Sequence, residues 1–213
     1  MTVLAKQIGS KTTADVGRDD NGGGRSRDEL MNVATRIFAQ KGFRGTSIRD
    51  IAEAHGVSVS NIYHHFGNKE GLWLAIIEQT VKDLPRQLTA AAQSQSEPVD
   101  RLRDIVRTHL EFIEHHQQEV RIFFVNESML SPDGAKIIRN TQKKILDIYM
   151  KEISSMKELG LLRIKHVKIT CLNILALVNW HLRWFRVDGH LPPSVLQSYI
   201  IDFVLNGILT KRR

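Results

Sequence analysis

Ser58, Ser60, Asn61, Tyr63, His64 and His65 crowd into one short stretch, and Lys69 follows four residues later. Hydroxyls, an amide, imidazoles and an ammonium make hydrogen bonds, and nothing in their spacing sets a nucleophile against a base. An asparagine can pair bidentately with adenine, and hydroxyls and cations meet phosphate oxygens. The chemistry on offer is recognition of a polyanion rather than bond cleavage. Backbone N–H groups at helix starts after Thr46, Ser58 and Asn68 would add phosphate sites. Thr46 and Ser58 also read as helix caps, a role that can coexist with DNA contact.

Other reactive pairings are weaker. His115 follows Glu111 by four residues and adjoins His116, but a solvated helix face explains this pattern better than a metal pair. No metal site and no cofactor are expected. Cys171, the sole cysteine, lies in an apolar helical run and reads as a buried, inert thiol. No P-loop, dinucleotide fingerprint or zinc-protease motif occurs, and the glycines at 22–24 sit in a polar arm. The chain is not expected to be an enzyme.

The elements that hold the polar stretch are two short helices around a tight turn. Ile48, Ile51 and Ala52 share a helical face that stops at Gly56, and Ser58 opens a second helix ending at Phe66. This is a helix-turn-helix, which places the start of its second helix in the DNA major groove. Ahead of it, Ser26 and Glu29 read as a capping box, and Leu30, Val33, Ala34, Ile37 and Phe38 form one stripe, stopped by Gly42. Ile48, Ile62 and Phe66 are assigned to the core of this head. A fourth helix starts at Asn68 with Leu72, Ile76, Ile77 and Leu84 inward, and Pro85 kinks or ends it.

Longer helices follow. One opens at Pro98 with a stripe through Leu102, Ile105, Val106, His109, Leu110 and Ile113. A short one spans Val120 to Val125, and Ser131–Pro132 caps another that runs to Gly160. Two last helices are expected over about Lys165–Val187 and Pro192–Leu209. Both are apolar over more than one face, so each must be buried on two sides, the second against another subunit or, in the alternative reading, as a central core helix of a monomer. Val204 is taken as an outward apolar position.

The 213 residues carry a formal net charge of +7, which favours nucleic acid or an anionic surface as partner. Residues 1–25 read as a disordered arm without a secretory signal. The longest apolar region, Ile169 to Phe185, is interrupted by Asn173, Asn179, His181 and Arg183, which argues against a membrane span. A soluble, cytoplasmic, all-α protein is the expectation: a head over 26–70 and a larger helical body over 71–213.

From Ala34 to Lys69 the chain resembles the TetR family of bacterial transcriptional regulators. The match runs through Phe38, Lys41–Gly42–Phe43, Gly45 to Ala52, Gly56–Val57–Ser58, Ile62–Tyr63, His65–Phe66 and Asn68–Lys69. The resemblance implies a three-helix DNA-binding head on a helical body that binds an effector and dimerises. It implies that Thr46 caps the second helix and touches phosphate, with Ser47 beside it. By the same resemblance, Ser58, Val59, Ser60 and Asn61 lead the recognition helix, Tyr63, His64 and His65 flank the DNA, and Lys69 meets a phosphate. Ser60 and Asn61 replace the small, often glycine-containing pair usual in the family, so the base preference stays open.

Further along, Val178 to Leu191 resembles the penultimate helix and turn of family members that respond to acyl-CoA thioesters. That implies Arg183 and Arg186 on CoA phosphates and Trp180 or Trp184 stacked on adenine. The competing reading makes the two tryptophans core or dimer-interface residues. The function implied is a repressor, as a homodimer, released from a palindromic operator by a small molecule. The alternative is a multidrug-type regulator of an efflux pump, whose pocket would carry acidic groups for cationic drugs.

Overall fold

The computed structural model describes residues 21–94, 97–126, 128, 130–186 and 189–210, and the described residues are almost wholly helical. Most of the expected polar arm, residues 1–20, lies outside them. Helix α1 runs Asn21–Gly45. It begins before Ser26, so Ser26 stands inside the helix and the expected capping box does not form its start. Gly42 does interrupt it: at φ 73° and ψ 162° the backbone leaves the helical region, a conformation open to glycine alone at little cost.

Helices α2 (Ile48–His55) and α3 (Val59–Phe66) are the helix-turn-helix pair. Gly56 makes the turn between them in the left-handed region, φ 80°, with its N–H on the Ala52 carbonyl. Helix α4 (Lys69–Val81) is capped by Asn68, whose side chain accepts from the Gly71 N–H at 2.8 Å. It ends before Lys82, and Pro85 sits in the first turn of a new helix, α5 (Leu84–Ala92). Leu84 thus belongs to α5 rather than to the fourth helix, because proline fits a helix start better than a helix interior.

The body adds α6 (Pro98–His115), α7 (Gln117–Asn126), α8 (Pro132–Glu158), α9 (Val167–Trp180) and α10 (Pro193–Ile208). Ser131 caps α8, accepting from the Gly134 N–H. Helix α9 stops at Trp180, well short of the expected end, and passes into a 3-10 turn over His181–Arg183. A β-type bridge between Leu162 and Leu209 ties the link before α9 to the end of α10.

Two apolar cores result. Leu30, Ala34 and Phe38 of α1 pack with Ile48, Ile51 and Ile62 and with Leu72, Trp73, Ile76 and Ile77 of α4. Ile122 and Phe123 of α7 and Ile138 of α8 join this same core, so the head is welded to the body. The second core lies among α5, α6, α8, α9 and α10. Val204 belongs to it at 4 % exposure, which corrects the outward placement expected for it. The outward apolar residues of α10 are Tyr199 and Phe203, more than two-thirds exposed, while Ile169 and Leu172 of α9 are about half exposed. Cys171 is fully buried, and burial pushes its thiol up to about 11.

Gly71 is sterically irreplaceable. A methyl group there would stand 2.0 Å from the Phe66 carbonyl oxygen, a backbone atom that cannot rotate away. Gly71→Ala is therefore expected to lower unfolding stability by about 2 kcal/mol or more. Gly45→Ala, whose methyl would meet only the Lys41 Cβ at 3.8 Å, should be near neutral. Urea denaturation of the two variants measures the contrast.

Candidate nucleic-acid interface and effector cavity

On α3, successive residues turn by about 100°. Ile62 is buried, with Val59 and Phe66 half-buried on the same side. Ser60, Asn61 and His64 project from the opposite side, flanked by Tyr63 and His65, and all but the half-buried Asn61 are exposed. Ser58 caps the helix, its hydroxyl accepting from the Asn61 N–H at 3.1 Å. Arg27 of α1 lies over the Phe66 ring at 5.0 Å and braces the far end.

Thr46 departs from its expected role. The cap of α2 is Ser47, in a reciprocal capping box with Asp50. Thr46 is buried at 2 % exposure, and its hydroxyl donates to the Gly42 carbonyl at 2.8 Å. It positions the turn, and the exposed hydroxyl beside it is that of Ser47. Asp50 also takes a 2.8 Å bond from the Lys41 ammonium, which with Ser47 holds its carboxyl well below the usual range.

Lys69 reaches back under this turn. Its ammonium donates to the carbonyls of Phe43 (2.8 Å) and Thr46 (2.9 Å) and lies 4.4 Å from the centre of the Phe43 ring. Two of its three protons are thus engaged inside the head, leaving one for a phosphate. Next to it, the Glu70 carboxylate accepts from the Ser131 N–H at 2.7 Å, at the start of α8.

The body contains a cavity of about 630 Å³. Its wall is mainly apolar, with Phe112 and Ile113 of α6, Phe123 and Phe124 of α7, and Ile138 and Ile145 of α8. Ile77 and Val81 of α4 complete it, so the helix that carries Lys69 also bounds the cavity. Trp180 and Arg183 stand at its edge with Lys143, and the Arg183 guanidinium stacks 5.0 Å from the Trp180 ring centre. Trp184 and Arg186 are exposed and do not line it, because the chain leaves α9 at Trp180 and turns away. Trp180 and Trp184, each more than half exposed, are not core residues either.

The α6–α8 walls escaped sequence reading. A signal was present on α8, where Thr141 and Gln142 stand at the helical spacing that should carry apolar residues between Ile138 and Ile145. His109 was legible only as one member of a core stripe. It is 3 % exposed, lines the cavity, and its Nδ1 lies 3.1 Å from the Tyr149 hydroxyl. On the exposed face of α6, His115 Nδ1 is hydrogen-bonded to the Glu111 backbone carbonyl at 2.6 Å.

Burial lowers His109 to about 4 and also depresses His181, whose Nδ1 donates to the Val178 carbonyl. Unfolded histidines take up protons near pH 6.5. Between there and pH 4 the unfolded chain therefore binds protons that the native state refuses, so stability falls as pH falls. Unfolding free energy is expected to drop from pH 7 to pH 5 with a slope of up to about 1.4 kcal/mol per pH unit for each buried histidine. Denaturant titrations of the native protein and His109→Gln across this range should differ in slope by up to one proton.

Comparison with known proteins agrees with this architecture. Residues 30–76 match the family described as bacterial regulatory proteins, tetR family, and residues 95–208 match the tetracyclin repressor-like C-terminal domain. The HTH-type transcriptional repressor KstR2 of Mycobacterium tuberculosis is 27% identical over 85% of this chain and 92% of its own length. The HTH-type transcriptional activator FasR of Mycolicibacterium smegmatis is 28% identical over 85% of this chain and 82% of its own. The crystal structure of AibR in complex with isovaleryl coenzyme A and operator DNA superposes with a TM-score of 0.75 at 26% identity, covering 84% of this chain and 97% of that one. These relatives are transcriptional regulators rather than enzymes. Among the described residues, no helix is long and apolar enough to cross a membrane. The chain belongs to the TetR family of transcriptional regulators.

Proposed function

We propose that this protein is a homodimeric repressor that binds a palindromic operator and is released from it by an acyl-CoA held in the α4–α9 cavity. The observation that carries the reading is the shared wall: Ile77 and Val81 face the cavity from the helix that anchors the helix-turn-helix. A ligand that displaces them moves α4, and with it the separation of two recognition helices set about 34–36 Å apart for one DNA turn. The ligand must prefer the displaced state for DNA affinity to fall.

The chemistry of the cavity supports an anionic, partly apolar ligand. Its interior suits an acyl chain, and the cationic groups at its edge, Arg183 and Lys143, suit phosphates. Among the described residues, no acidic side chain, which a pocket for cationic drugs would need, lines it. The AibR complex with isovaleryl coenzyme A lends support by likeness of fold. On the DNA side, Ser47, Ser58, Ser60, Asn61, Tyr63, His64 and His65 offer the contacts, with the last proton of Lys69.

In a fluorescence-anisotropy assay with a duplex selected from a random pool, medium-chain acyl-CoAs should release the DNA. Free CoA and the free acids should not. Asn61→Ala should change the selected base sequence. Release by a neutral or cationic drug with no response to any thioester would transfer the protein to the multidrug class, and binding no tighter than to random DNA would remove the operator.

Dimerisation is assigned to α9 and α10. Tyr199 and Phe203, one helical turn apart, make an exposed apolar ridge, and the exposed Ile169 lines a surface groove together with Phe203. Two helices from each copy would close a four-helix bundle about a two-fold axis. Phe203→Glu should give monomers with weakened operator binding. A native monomer at micromolar concentration in sedimentation would exclude this interface.

A further inference from the structure

His109 is the deepest polar side chain of the cavity. Gln142, Lys143 and Arg183 are exposed at its edge and Thr141 and Asn179 are half-buried, whereas His109 is almost wholly enclosed. Its ring has a fixed chemical orientation. Tyr149 is fully buried and does not line the cavity, and burial keeps its phenol protonated by raising its pKa far above the ordinary value. That phenol proton needs an acceptor, since a buried unmatched donor costs about 1–3 kcal/mol. The structure supplies one, the His109 Nδ1 at 3.1 Å. Nδ1 is then the acceptor of a neutral imidazole, and the proton resides on Nε2. The two ring nitrogens point roughly opposite ways, so Nε2–H faces away from Tyr149. Among the described residues, Tyr149 is the only hydrogen-bond partner of His109.

We infer that the part of the effector inside the cavity carries a hydrogen-bond-accepting oxygen, a carbonyl above all, that docks on the Nε2–H of His109. This rests on the cavity being the effector site. A neutral donor in an apolar enclosure favours an uncharged acceptor, because a carboxylate there would have to shed its hydration without a counter-charge. His109 thereby selects an oxygenated acyl or ring group over a plain hydrocarbon of the same shape, and Tyr149 acts as its positioning residue.

Two small probes of matched shape, cyclooctanone and cyclooctane, test this on the intact protein without CoA. Binding is read from NMR shifts of isoleucine methyls in the cavity wall, and the tautomer from the ¹⁵N shifts of labelled histidine. Wild type is expected to show the Nε2–H form at pH 7, with the Nε2 signal moved by the ketone and not by the hydrocarbon. The ketone-to-hydrocarbon affinity ratio should drop about tenfold in His109→Leu, the scale of one hydrogen bond. It should stay within about threefold of wild type in His109→Gln, which keeps a donor. An unchanged ratio in His109→Leu, the opposite tautomer, or binding of neither probe would overturn the inference. The outcomes separate from the acyl-CoA reading: thioesters that fail to release DNA while the ketone preference holds remove that reading alone. Release by thioesters with no ketone preference removes this inference alone.

Discussion

Lys69 and Glu70 stand side by side at the start of α4 and reach in opposite directions. The ammonium closes on the carbonyls of Phe43 and Thr46 at the turn leading into α2, and the carboxylate closes on the N–H of Ser131 at the start of α8. Both are charge-assisted bonds, the stronger class of hydrogen bond, and Glu70 also meets the positive end of the α8 dipole. Helix α4 is thereby bound at one end to the DNA-reading head and to the longest helix of the body. Gly134 permits the approach: a methyl there would lie 3.0 Å from both the Glu70 carboxylate and Leu74. Helix α8 meets the head's core at α4, while α7 packs against both α1 and α4, so this junction is one of two seams that join head and body.

The other end of α4 has a different environment. Ile77 is 3 % exposed yet borders a cavity of about 630 Å³, and Val81 borders it too. Protein interiors are otherwise close-packed, and side chains lining a void lose dispersion contacts on that side. The two ends of one helix thus sit in contrasting surroundings, one held by charged bonds and one facing space. Such a helix resists sliding at its start and yields at its end, so under the proposed release mechanism a change of cavity occupancy would tilt α4 about the Lys69–Glu70 anchor.

Local rules made the head readable. Gly42, Gly56, Ser58 and Asn68 act within a few residues of their own position, and each does in the structure what its type allows at a turn or cap. Thr46 misleads because two adjacent hydroxyls compete for one cap. Only the third dimension shows that Thr46 faces inward to Gly42 while Ser47 completes the box with Asp50. Pro85 is ambiguous in the same way, as a proline ends one helix and starts the next with equal fitness. The cavity lies beyond such rules. It is assembled from six helices far apart in sequence, and a residue lining a void has the same apolar character as one packed in a core. Of the four residues the resemblance named, Trp180 and Arg183 border the cavity, whereas Trp184 and Arg186 do not, since α9 ends early.

The charge of an anionic effector offers a second route of coupling, repulsion of the operator's phosphates, and distance decides against it. Helix α4 spans about 18 Å from Lys69 to Val81 at 1.5 Å per residue. At physiological salt the screening length is about 8 Å, so the helix that links the head to the cavity is more than two such lengths long. A through-space interaction over that span is largely extinguished. Packing is not screened: Ile77 is in contact with the head's core and with the cavity at once. In the proposed mechanism, communication between the two sites would therefore rest on the position of α4 rather than on the net charge of what fills the body.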